Sequence, residues 1–164
     1  MLFKNILIHG FLMSSVLTII LLGSIAYNPR LWLRTYPDDV KAKVPPKTKK
    51  EKRQALVFQI PFMIVMLGVP IVSTIVLKRN MDEEFTFLTG FVNFAGISTI
   101  FNLVDTVIID WVVFCSITPK FIIIKGTEGL ERYKDYKMHL KAFIKGLMIT
   151  AALSFVFTGI IYVV

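Results

Sequence analysis

The sequence contains a single cysteine, Cys115, and only two histidines, and its eleven acidic residues face nineteen Lys and Arg. A lone cysteine excludes an intrachain disulfide and any paired-cysteine metal motif, so packing is its expected role. There is no heptad array, no low-complexity tract and no repeat of roughly 20 to 50 residues, which excludes a coiled coil or a solenoid. The phosphate-binding spacing Gly-x-x-x-x-Gly-Lys is missing too: Gly126-Thr127-Glu128-Gly129 does not supply it and follows no soluble-domain strand. The net charge of +8 brings no recognition motif for nucleic acid with it, and the cations sit in two segments that flank apolar blocks. No nucleic-acid partner is expected.

What the chain has instead is apolar length. Its hydrophobic fraction is 55% and its mean hydropathy +0.67, above the roughly 45 to 50% apolar content of soluble domains. The excess gathers at about residues 6–27, 54–77, 85–114 and 142–162. Each block approaches or exceeds the ~20 residues that a helix needs to cross the hydrocarbon layer. The expected fold class is therefore all-α, a single polytopic membrane domain of four transmembrane helices. The first block is too long for a typical signal core, and Asn28-Pro29-Arg30 stands where a cleavage site would need small residues, so it is expected to remain as the first helix. Pro61 and Pro70 lie inside the second block, where Gly68-Val69-Pro70 predicts a kink rather than an end.

Orientation follows from the distribution of Lys and Arg: nine in residues 28–53, two after the second block, seven in residues 116–145, and Lys4 alone at the start. The positive-inside rule then places residues 28–53 and 116–141 in the cytoplasm and both termini outside, giving a multi-pass protein of the cell membrane. The run Lys47–Arg53 is suited to anionic lipid at that face. Small residues such as Gly90, Ala95 and Gly96 would permit close helix or subunit packing, and a homo-oligomer is an expectation on that ground.

Chemistry concentrates on the third block. Asp105 and Asp110 are the only acids inside the apolar segments, and Asn102, Asp105, Thr106 and Asp110, with Ser98 and Thr99 above them, span an arc of about 140° on an α-helix. Acids in lipid normally face a protein interior or a wet cavity. Two readings follow. In one, this face lines a cavity open to the cytoplasm, where Asp105 exchanges a proton or holds a cation. In the other, an ion pair or hydrogen-bond network only fixes helix packing. Arg30, near Trp32 at the end of the first helix, is a candidate partner for Asp110. His139 is the best-placed base or ligand, and Arg30, Lys120 and His139 make up a candidate site on the cytoplasmic face. One histidine among scattered acids lacks the spacing of a metal motif, so neither a metal nor another cofactor is expected. Thr127 reads as an N-cap for a helix through Glu131 and Tyr133 that runs into the fourth helix. His9 falls at the opposite end, as an interfacial or capped histidine.

Three functions fit these residues. The first is a non-enzymatic binding or accessory component using the cytoplasmic face. The second is an oligomeric transporter coupled to protons or cations through Asp105. The third is an enzyme acting on lipid headgroups with His139 and Asp110 as acid and base.

Overall fold

A computed structural model describes residues 2–163, apart from the side chains at positions 82 and 132. Among them no strand occurs and the chain is all-α. Four helices are long and apolar enough to cross a membrane: α1 (Leu2–Tyr27), α3 (Lys49–Met81), α4 (Phe87–Val104, continued to Ile117) and α5 (Tyr136–Val163). A short helix, α2 (Asp38–Ala42), lies in the connection between α1 and α3.

The helix ends follow local chemistry. Asn28 ends α1: its side-chain oxygen accepts from Arg30 N at 3.0 Å, and Pro29 opens a 3-10 segment to Thr35 that is kinked at Trp32. α3 starts five residues earlier than hydropathy predicts, because Thr48 and Glu51 form a reciprocal capping box. Glu51 N donates to Thr48 Oγ1 at 3.2 Å and Thr48 N to Glu51 Oε2 at 2.7 Å. The helix runs without interruption through Pro61 and Pro70. Thr86 caps α4 by accepting from Thr89 N at 3.1 Å.

Thr127 does not cap a helix. Its hydroxyl donates to Ile124 O at 2.6 Å and meets the Tyr133 phenol at 2.6 Å, pinning a loop instead. The segment after it is a 3-10 turn, Glu131–Lys134, that breaks at Asp135. Asp135 Oδ1 then accepts from Met138 N at 2.9 Å and starts α5, six residues before the apolar run begins.

α4 lies at the centre, packed against α1, α3 and α5. Close approach depends on glycine. A Cβ at Gly90 would lie 2.7 Å from Phe85 Cζ and 2.8 Å from Thr158 Cγ2, and one at Gly146 would lie 2.6 Å from Asn102 Oδ1. Two layers of buried apolar side chains result. One, at mid-height, joins Met13 and Leu17 of α1 to Ile97 and Phe101 of α4. The other joins Ile25, Tyr36, Val40, Ile109, Ile122 and Tyr133, so the connections on both sides of α3 and α4 pack onto the helix ends.

Candidate functional site

From Asp105 to Ile117 the last part of α4 is a π-helix. Its i→i+5 pattern persists at its end, where Thr118 N donates to Val113 O at 2.9 Å and Ser116 Oγ to Trp111 O at 2.8 Å. Thr118 then turns left-handed at φ 44. π-Helix is rare and usually a single bulge. The consequence here concerns Asp105 and Asp110, which are five residues apart. In an α-helix they would be about 140° apart. An i→i+5 ladder instead brings them closer together, onto one face.

That face borders a cavity of about 530 Å³. Asp110 Oδ2 lies 2.9 Å from His139 Nδ1 of α5, with side-chain exposures of 18% and 8%. The Phe114 ring packs 6.1 Å from the imidazole. Asp105 lines the same cavity and makes no hydrogen bond or ion pair among the described residues. Leu21 and Ile25 of α1, Phe62 of α3 and Ala142 of α5 complete the walls.

The roof is the connection between α1 and α3. Trp32 Nε1 donates to Ser24 Oγ at 2.7 Å, and its ring meets Phe62 edge to face at 5.4 Å, with Phe62 in turn against Phe101 at 5.8 Å. Tyr36, 2% exposed, donates its hydroxyl to Ile122 O at 2.9 Å and so ties this roof to the connection between α4 and α5. Burial, with the Tyr133 phenol beside it, pushes the Tyr36 phenol well above its ordinary pKa. At the rim Lys41 Nζ sits 2.7 Å from Asp38 and holds that carboxyl below the usual carboxylate range; Arg34 is exposed nearby.

The sequence-derived candidates therefore separate. Asp105, Asp110 and His139 come together. Arg30 does not reach Asp110: its Nε donates to Glu51 Oε1 at 2.6 Å and its Nη2 to Pro45 O at 2.9 Å, because the capping box brings Glu51 back beneath the end of α1. Lys120 is exposed on the turn after Pro119, away from the cavity. Asn102 faces α5, donating to Thr150 Oγ1 at 3.1 Å, and borders a separate cavity of about 180 Å³ with Ser98. Thr106 is buried and does not line the larger cavity. Among the described residues no three His, Cys, Asp or Glu side chains converge as a metal-holding group.

A second polar cluster escaped the sequence reading. Asn93, completely buried, accepts from Asn5 Nδ2 at 2.8 Å and donates to Thr74 Oγ1 at 3.1 Å and Ser73 Oγ at 3.3 Å. His9 Nδ1 lies 3.3 Å from Ser73 Oγ, so this histidine belongs to a network joining α1, α3 and α4. The repeated polar positions at one height of three helices were its only sequence signal. Between this cluster and the cavity, along each of those helices, stands the apolar layer of Met13, Leu17, Ile97 and Phe101, flanked by Phe62, Val65, Met66 and Val69.

The chain matches no known family model, and neither a curated protein nor a solved structure is similar to it.

Proposed function

We propose that this chain is a non-enzymatic, multi-pass component of the cell membrane that binds a small ligand from the cytoplasmic side, in the cavity lined by Asp105, Asp110 and His139. The observation that carries the reading is the cavity itself. It is of ligand size, within the roughly 300 to 1,000 Å³ of small-molecule sites, and mostly apolar with a few convergent polar groups. The abundance of Lys and Arg in the connections around it favours the cytoplasmic side. The apolar layer beyond Asp105 favours binding over passage, because no polar side chain of the cavity continues into the Asn5–Asn93 network. The absence of Ser and Cys from the cavity lining among the described residues favours binding over covalent catalysis.

The experiment compares the wild type with Ala142→Trp, which fills the cavity from a position already partly exposed. Both proteins, in nanodiscs, are incubated with a membrane and metabolite extract, and retained small molecules are identified by mass spectrometry. The expected result is a compound retained by the wild type, lost from Ala142→Trp and recovered chemically unchanged. Conversion of that compound, lost in His139→Ala, would establish the enzyme reading instead. Accumulation in proteoliposomes, lost in Asp105→Asn, would establish the transporter. Retention of nothing, or equal retention by both proteins, overturns the proposal.

A further inference from the structure

Resting on the binding reading, the cavity's charge and walls also specify what it would take. The Asp110 carboxylate already has His139 as its partner at 2.9 Å, whereas Asp105 faces the same space with no hydrogen bond or ion pair among the described residues. Asp105 is half-buried, and a carboxylate drawn out of water without a hydrogen-bond or ion-pair partner is costly; the deficit is met by a proton or by a cation brought in from outside. The protein's own cations do not meet it. Lys41 is engaged with Asp38, Arg34 is exposed at the rim, and Arg30 is held by Glu51.

A bare metal ion fits poorly, since among the described residues no three His, Cys, Asp or Glu side chains converge to hold one. An anion fits worse, since it would meet the Asp105 carboxylate while the rim cation Lys41 is taken by Asp38. The remaining surface is aromatic. Trp32, Phe62 and Phe101 form a continuous edge-to-face wall from the roof down toward Asp105, and Tyr36 and Phe114, edge to face with each other, also line the cavity. Aromatic walls around a carboxylate are how proteins hold alkylated ammonium groups: the charge is balanced without a hydrogen-bond donor, and the methyl groups pack on the rings.

We propose that this cavity binds an alkylated ammonium group, free or as the head of a lipid, with its charge on Asp105 and its alkyl groups against Trp32, Phe62 and Phe101. Asp110 is already engaged with His139 at 2.9 Å, which leaves Asp105 as the carboxylate that receives the ligand's charge.

The test uses the full chain in nanodiscs of phosphatidylglycerol, which carry no ammonium group, with Trp111→Phe so that Trp32 is the only tryptophan. Three probes share one hydroxyethyl chain: choline, its neutral isostere with carbon in place of nitrogen, and isethionate. The expected result is a saturable change in Trp32 emission with choline alone, at least tenfold weaker in Asp105→Asn, retained in Asp105→Glu and unchanged in Glu84→Gln, which lies at the far end. Should Asp105→Asn fail to fold, the Glu variant and Trp32→Leu, read by equilibrium dialysis of labelled choline, carry the comparison. In phosphatidylcholine nanodiscs, unaltered choline affinity identifies the free compound, and loss of the choline response identifies the lipid head. Equal responses to the carbon isostere or isethionate would overturn the ammonium inference while leaving the cavity as a binding site. No response to choline in any bilayer would also overturn it, and only an empty extraction experiment as well would remove the proposed function.

Discussion

Tyr36→Phe isolates a hydrogen bond that ties the cavity roof to the connection between α4 and α5. The substitution keeps the ring, and with it the edge-to-face contacts to Phe114 at 5.7 Å and Tyr133 at 6.1 Å, and removes only the hydroxyl that donates to Ile122 O. A hydrogen bond of this kind contributes about 1 kcal/mol net, and a carbonyl left buried without a partner raises the loss to about 3 kcal/mol. Because about 1.4 kcal/mol is a factor of ten, local opening of the roof should become about 5- to 150-fold more frequent. The reporters are the amides of α2, Val40 N and Lys41 N, both bonded to Pro37 O at 3.1 Å. Hydrogen exchange followed by mass spectrometry should show faster exchange over residues 37–43, with the exchange of α3 and α5 unchanged. Identical exchange of residues 37–43 in the two proteins would refute the idea that this bond holds the roof.

The same phenol should resist alkali. A folded-state pKa raised above the unfolded value contributes stability that is present below about pH 10 and is lost as pH climbs beyond it. The difference in tyrosinate absorbance between the wild type and Tyr36→Phe should therefore stay near zero through about pH 11 until the protein unfolds; a step at about pH 10 would contradict the burial argument. Asn93→Ala removes three hydrogen bonds, and at about 0.6 kcal/mol each for membrane helices the loss is about 2 kcal/mol, measured by reversible unfolding in mixed micelles. A change below about 0.5 kcal/mol would mean the network does not hold α1, α3 and α4 together. Gly90→Ala places a methyl group under 3 Å from both Phe85 and Thr158 and should cost about 1 to 3 kcal/mol by overpacking in the same assay. A neutral result would mean that α4 and α5 can separate freely there.

The four apolar helices were legible in the sequence because the rule that selects them is one-dimensional. A run of ~20 apolar residues needs lipid whatever it packs against, and α1, α3, α4 and α5 follow it. Helix ends were legible only where hydropathy and capping coincide. The Thr48-Lys-Lys-Glu51 box was open to reading in the sequence, yet it lies in a basic stretch with no apolar periodicity, and Arg30 stood as a candidate partner for Asp110 because the reach of Glu51 went unweighed. Asp105 and Asp110 were legible as acids in an apolar segment on one broad polar face, but how close together they lie was not, since helical arithmetic assumes an α-helix and the chain is a π-helix there.

What the sequence determined by itself was composition-driven: an all-α chain with four membrane-crossing segments and two polar acids on the third of them. Tertiary structure alone decided which polar groups meet. Asp110 meets His139 and Asn93 meets Asn5, pairs that are 29 and 88 positions apart in the chain. It also decided that Trp32 and Tyr36, ordinary loop aromatics by sequence, roof a cavity. Such contacts depend on how helices rotate and approach one another, which close glycine contacts and the π-helical stretch set, and no local pattern encodes that rotation.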